Sequence, residues 1–192
     1  PIVNRPSQGH IMAAELLYHR ARTGLVGTIL YPLNQLADRF PEIHRKRQDE
    51  YRGRLDITRM RVPILDCLWG DVLFLSPIHP KKICKLRTDT GYPRVTRTYF
   101  EVDPDQCGIT AENSVIFRHE VFQPGQMVLA KSDFVPFDRE LIGEYSEIPA
   151  KSIAYYRDSF SQGKRPLVYL YMPQVLYMGV LSFDDLPVIE VT

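Results

Sequence analysis

Residues 14–40 read AELLYHRARTGLVGTILYPLNQLADRF, and how they fold decides how the rest is arranged. A first apolar run closes on the aromatic–imidazole pair Tyr18-His19, and a second closes on the turn marked by Pro32. Residues 11–20 suit a short helix or a lead-in from helix to strand, whereas Leu33, Leu36 and Phe40 after Pro32 recur at helical spacing. His19 has two readings at this level. It is either a packed core histidine bonded to a backbone carbonyl or the rim of a ligand site.

Outward from this stretch, residues 42–54, EIHRKRQDEYRGR, are polar and basic, which reads as a solvated helix or loop. The segment DVLFLSP at 71–77 is the clearest buried strand. It has no polar side chain from 72 to 75, so both of its faces are expected to meet packed layers. HPKKICKL follows as a helix opened by Pro80. Strands are expected at RVTRTYFEV (94–102), NSVIFRHEVF (113–122), GEYSEI (143–148), PLVYLY (166–171), VLYMGVL (175–181) and PVIEV (187–191), separated by turn-rich DPDQCG, QPGQ and SQGK. Helix-rich first and strand-rich later, this order predicts an α+β fold with a mixed or antiparallel sheet rather than a doubly wound parallel one.

Composition sets the outer bounds. The 192 residues, 44% of them hydrophobic, suit one globular domain over 1–192. A net charge of +1 gives no bulk argument for nucleic acid or membrane. The apolar stretch at 167–181 is interrupted by Pro173 and Gln174, so no membrane span is expected, and PIVNRPSQGH does not read as a secretory signal. Cys67, Cys84 and Cys107 are too widely spaced for a CxxC pair and odd in number, which fits reduced thiols and a cytoplasmic protein.

Several chemistries are excluded by motif. The chain has no GxxxxGK[ST], no GxGxxG and no GxSxG, and His10, His19, His44, His79 and His119 never fall at HxxxH or HExxH spacing, so no metal site is expected. What remains are polar residues at the ends of expected strands. Ser76 closes VLFLS, where a hydroxyl either caps the turn into Pro77 or faces a cleft. Glu144 and Glu147 bracket EYSE; on a strand, their odd spacing sends them to opposite faces, so one at most enters a given cleft.

In this order, LLYHRA, TILYPLNQLADRF, DVLFLSP and GEYSEIP resemble the segments of ADP-ribosyltransferase-like domains, in particular the DarT-like nucleic-acid modifiers and related small bacterial domains. The family's His-x-Thr stands here as His19-Arg20-Ala21. The resemblance covers about residues 14–155 and implies NAD as co-substrate, bound through His19, Tyr18, Tyr31 and Ser76. It further implies Glu147 or Glu144 as the catalytic carboxylate, because cleaving the nicotinamide bond builds positive charge on the ribose. Under the same resemblance the basic segment gains a partner. Arg45, Lys46, Arg47, Arg52 and Arg54 would follow the phosphates of DNA or RNA while Tyr51 stacks on a base. The competing expectation is a non-catalytic nucleic-acid- or partner-binding module that uses the basic segment 44–61.

Overall fold

The structure is a computed structural model that describes residues 15–51, 55–119 and 128–192. Arg52 and Arg54 of the expected nucleic-acid set therefore lie outside the described residues. In chain order the elements are β1 (Leu17–Ala21), β2 (Ile29–Leu30), α1 (Leu33–Arg39), α2 (Pro41–Gln48), β3 (Arg61–Val62), β4 (Cys67–Leu68), β5 (Leu73–Leu75) and α3 (Pro80–Thr90). There follow β6 (Arg97–Val102), β7 (Ser114–Phe117), β8 (Phe134–Pro136), α4 (Ala150–Ser161), β9 (Gln174–Tyr177), β10 (Leu181–Ser182) and β11 (Val188–Val191). The fold is α+β, and every paired strand is antiparallel.

Two sheets carry the architecture. One has the order β1-β6-β11 and the other β5-β9-β7-β8, with β10-β2 and β3-β4 as two-stranded ribbons. The sheets meet at one backbone pair, in which Tyr18 N–H donates to the Ser76 carbonyl at 2.9 Å and Ser76 N–H to the Tyr18 carbonyl at 2.8 Å. β5 thus ends its own sheet and yet sits between the two. Its alternation works as the sequence predicts: Leu73 and Leu75 enter the core shared with Leu17, Phe100 and Val175, while Val72 and Phe74 turn to a second cluster around Trp69 and Phe117.

Residues 17–21 are a strand rather than the end of a helix. β1 pairs along its whole length with β6, from Leu17 opposite Val102 to Ala21 opposite Thr98. Pairing both faces of a strand into packed layers outweighs the helical lean of a short apolar run, because Leu17 joins one core and Tyr18, with Tyr99, Cys84 and Val191, another.

α3 begins where Pro80 predicts. The His79 ring accepts a hydrogen bond from the Lys81 N–H at 3.1 Å, and Ile83, Cys84, Leu86 and Arg87 turn inward. It ends at Gly91, whose φ of +106° a side chain rarely tolerates, and a Cβ there would lie 2.5 Å from the Phe160 ring. Gly91→Ala should therefore cost about 1–3 kcal/mol in urea unfolding. A variant within about 0.5 kcal/mol of wild type would remove the cap from the account.

Two expected strands are not strands. GEYSEI forms successive tight turns: Glu144 N–H bonds the Leu141 carbonyl at 3.1 Å, and Ser146 N–H bonds the Gly143 carbonyl at 3.2 Å. Three successive N–H groups, those of Glu144, Tyr145 and Ser146, are thus spent within the turns and are not offered to a sheet. PLVYLY is held by side chains of α4, an amphipathic helix absent from the sequence-based reading. The Tyr155 hydroxyl accepts from Leu167 N–H at 2.9 Å, and the Tyr156 hydroxyl donates to the Val168 carbonyl at 2.8 Å. Ser152 Oγ reaches the Leu170 carbonyl at 3.2 Å, so helix side chains replace the partner strand. The signal was present in Ser152, Tyr156 and Ser159, the buried residues of α4, which lie four and three apart. Among the described residues, no helix is long and apolar enough to cross a membrane.

Candidate functional site

Just beyond the Tyr18–Ser76 pair the two sheets part, and the His19 side chain fills the breach. Its Nδ1 lies 3.0 Å from the Phe74 carbonyl oxygen. A carbonyl only accepts, so Nδ1 carries the proton in the neutral ring and Nε2 presents a lone pair. Burial, followed by the positive charges of Arg22 and Arg47, holds the imidazole down at about 4, against the opposite pull of the Phe74 carbonyl. The ring is neutral at pH 7. His19 thus bonds a backbone carbonyl, as the first sequence-level reading has it, and it also lines a cleft.

The cleft has a volume of about 130 Å³. β1 and the turn after it supply His19 and Arg22; β5 and its approach supply Val72, Leu73 and Phe74. The opposite wall is helical. Leu33, Leu36 and Phe40 come from α1 and its end, Ile43 and Arg47 from α2, and Glu50 and Tyr51 from the 3-10 turn that follows. Phe40, Ile43, Arg47 and Tyr51 recur every three or four residues, which puts them on one helical face. Tyr31 enters from the β2–α1 turn, its ring 6.1 Å from that of Phe40 and 4.9 Å from the Arg39 guanidinium carbon.

The charges in the cleft are organised around Glu50. Its carboxylate accepts from the Arg22 guanidinium and, at 3.4 Å, from Arg47. Two cations and one carboxylate line the cavity, leaving a net positive charge in a partly desolvated space. Burial and the Arg22 charge press the Arg47 guanidinium downward from its usual pKa, against the pull of Glu50. An arginine keeps its charge even so.

Of the residues singled out in the sequence, His19, Tyr31, Arg47 and Tyr51 meet in this cleft. Tyr18 alternates to the opposite face of β1, where its ring is 4.9 Å from that of His79. Ser76 is buried and occupied with its own turn: Oγ donates to the Ile78 carbonyl at 3.0 Å and accepts from Ile78 N–H at 3.1 Å. Glu147 is exposed and paired with the Lys82 ammonium of α3 at 2.6 Å, and Glu144 is exposed on its turn; neither lines the cleft. Arg45 and Lys46 point to solvent from α2 while Arg47 and Tyr51 turn inward, so the basic run divides between two surfaces.

No family model, curated protein or solved structure matches the chain.

The charged cleft residues not foreseen in the sequence are Arg22 and Glu50. Arg47 and Glu50 stand three apart, the spacing at which opposite charges meet on a helix, and that was the available signal for the carboxylate. Other reactive groups are quiet. Cys67, Cys84 and Cys107 are free thiols, and burial, with Asp71 and Asp66 nearby, pushes Cys67 up to about 11, the opposite of an activated nucleophile. Among the described residues, no group of three His, Cys, Asp or Glu side chains is placed to hold a metal ion.

Proposed function

We propose that the chain is an NAD-dependent ADP-ribosyltransferase-like protein that takes the nucleotide in the His19 cleft, with DNA or RNA as the acceptor. The observation that carries this reading is the fixed, neutral His19, which is held through Nδ1 and lines a cavity walled by aromatic rings and two arginines. A lone pair held in place suits a sugar hydroxyl. Tyr31, Phe40 and Tyr51 offer flat apolar surface to a heteroaromatic ring, and Arg22 and Arg47 offer charge to phosphate. A cavity of about 130 Å³ encloses one ring and little more, so the remainder of a dinucleotide would lie along the rim.

Recognition rests on this geometry, whereas transfer rests on the resemblance. A carboxylate speeds nicotinamide release only if it stands near the ribose as positive charge develops there. Glu50 lines the cleft, but with two guanidinium groups against it its field is largely cancelled.

The test is a titration of the purified chain with NAD, read as thermal stabilisation and as nicotinamide release. At 100 times Kd, NAD should raise stability by about 2.7 kcal/mol. His19→Ala, which removes one ligand hydrogen bond, should weaken NAD about tenfold. Glu147→Gln and Glu144→Gln test the carboxylates that the resemblance implies: loss of turnover in one of them at unchanged thermal stability assigns that carboxylate to the reaction. Wild-type turnover in both removes these carboxylates from the reaction, and absence of NAD binding by wild type removes the reading itself.

A further inference from the structure

Glu50 occupies the place that an anion entering the cleft would need. Its carboxylate sits between Arg22, at the end of β1, and Arg47, on α2, and so joins the strand side of the cleft to its helical side. The partners come from segments separated by more than twenty residues, and all three side chains line the same cavity as His19. We infer that the Glu50 carboxylate is a displaceable stand-in for a ligand phosphate: the ligand that fits this cleft carries a phosphate or pyrophosphate, which takes Arg22 and Arg47 as Glu50 swings out. This deepens the nucleotide reading given above and rests on it.

The physical case concerns which partner the arginines prefer. The Arg22 and Glu50 side chains keep 37% and 44% of their surface exposed, so their ion pair is solvent-screened and gives up little when it breaks. Arg47 is the more enclosed, with 24% exposure, and without an anion beside it two guanidinium groups would face each other across a partly dry space. In the empty cleft the carboxylate offsets that repulsion, and in a filled one a bound phosphate would take over the role. A phosphate brings more charge and more acceptor oxygens than a carboxylate, and guanidinium forks engage it in pairs. Glu50 then acts as a filter. An uncharged ligand cannot compensate the arginines and leaves Glu50 in place, whereas a phosphate-bearing one exchanges with it.

Two consequences separate this from a merely structural ion pair. Removing the carboxylate charge should strengthen binding of phosphate-bearing ligands and leave phosphate-free ones unchanged. Removing an arginine should weaken only the former.

The experiment measures calorimetric affinities of wild type, Glu50→Gln, Glu50→Ala and Arg47→Ala for NAD, inorganic pyrophosphate and the uncharged riboside adenosine, with circular dichroism confirming that each variant is folded. Expected are a gain of about tenfold for NAD and pyrophosphate in both Glu50 variants, a loss of at least tenfold in Arg47→Ala, and riboside affinity constant across the set. Equal or weaker NAD binding in folded Glu50 variants overturns the exchange while the nucleotide reading stands. Pyrophosphate binding that strengthens in Glu50→Gln, with NAD and riboside unbound by every form, overturns the nucleotide reading and leaves the anion exchange. Failure of all three probes in all folded forms overturns both.

Discussion

Between pH 7 and pH 4 the folded chain should lose about 3 kcal/mol of stability through each of His19 and His119, roughly 6 kcal/mol together. Both rings are held near 4 rather than the usual 6.5, chiefly by burial, with Arg22 and Arg47 adding to the effect at His19 and Lys151 at His119. The His119 ring is fixed much as His19 is, with Nδ1 3.0 Å from the Tyr169 carbonyl and its face against Phe117. The direction follows from proton uptake. Below 6.5 the unfolded chain binds a proton at each imidazole that the folded chain refuses until about 4, so acid favours unfolding across that window. The slope is about 1.4 kcal/mol per pH unit per histidine. Urea unfolding at pH 7, 5.5 and 4 should show wild type falling more steeply than His19→Gln or His119→Gln, and each variant should lack one share of the loss. Parallel curves for all three proteins would mean that neither ring is held neutral by the fold.

Leu75→Ala should destabilise the chain by about 3–4 kcal/mol and lower the melting temperature by roughly 10 °C. Leu75 is fully buried in the middle of the main core, on the short strand that sits between the two sheets, among Leu17, Leu73 and Val175. Shortening it removes buried methyl groups and opens a void that strands anchored on both sides cannot easily close. Val188→Ala is the matched control, since Val188 is 57% exposed on β11 and its truncation should stay within about 0.5 kcal/mol. A loss at Leu75 no larger than at Val188 would show that β5 is not where the two sheets are held together.

These two expectations differ in where they could be read. The burial of 72–75 was legible in the sequence, because four successive apolar residues between a glycine and a proline leave a strand few alternatives to packing on both faces. The start of α3 at Pro80 and the helical spacing of Leu33, Leu36 and Phe40 were legible for the same reason: proline geometry and side-chain period act over a few neighbouring residues. The neutrality of His19 was not. It needs the Phe74 carbonyl, 55 residues away, and two arginines brought to the same cavity from different elements.

Glu147 shows the limit from the other side. Its neighbourhood looked like a strand end by composition, but Leu141, Ile142 and Gly143 satisfy the following backbone N–H groups in tight turns, and Lys82 takes the carboxylate. PLVYLY likewise has the residues of a strand, but local backbone bonds from Leu170 to Leu167 and from Met172 to Tyr169, together with the hydroxyls of Ser152, Tyr155 and Tyr156 on α4, make turns of it. Alone, the sequence determined the α+β class, the two-faced burial of β5, the helical period of α1 and the opening of α3, all set by contacts between near neighbours along the chain. Only the tertiary structure decided that β1 is a strand, that the sheets part at His19, and that Arg22, Arg47 and Glu50 share one cleft, because those facts depend on which distant backbone groups and charges meet when the chain closes.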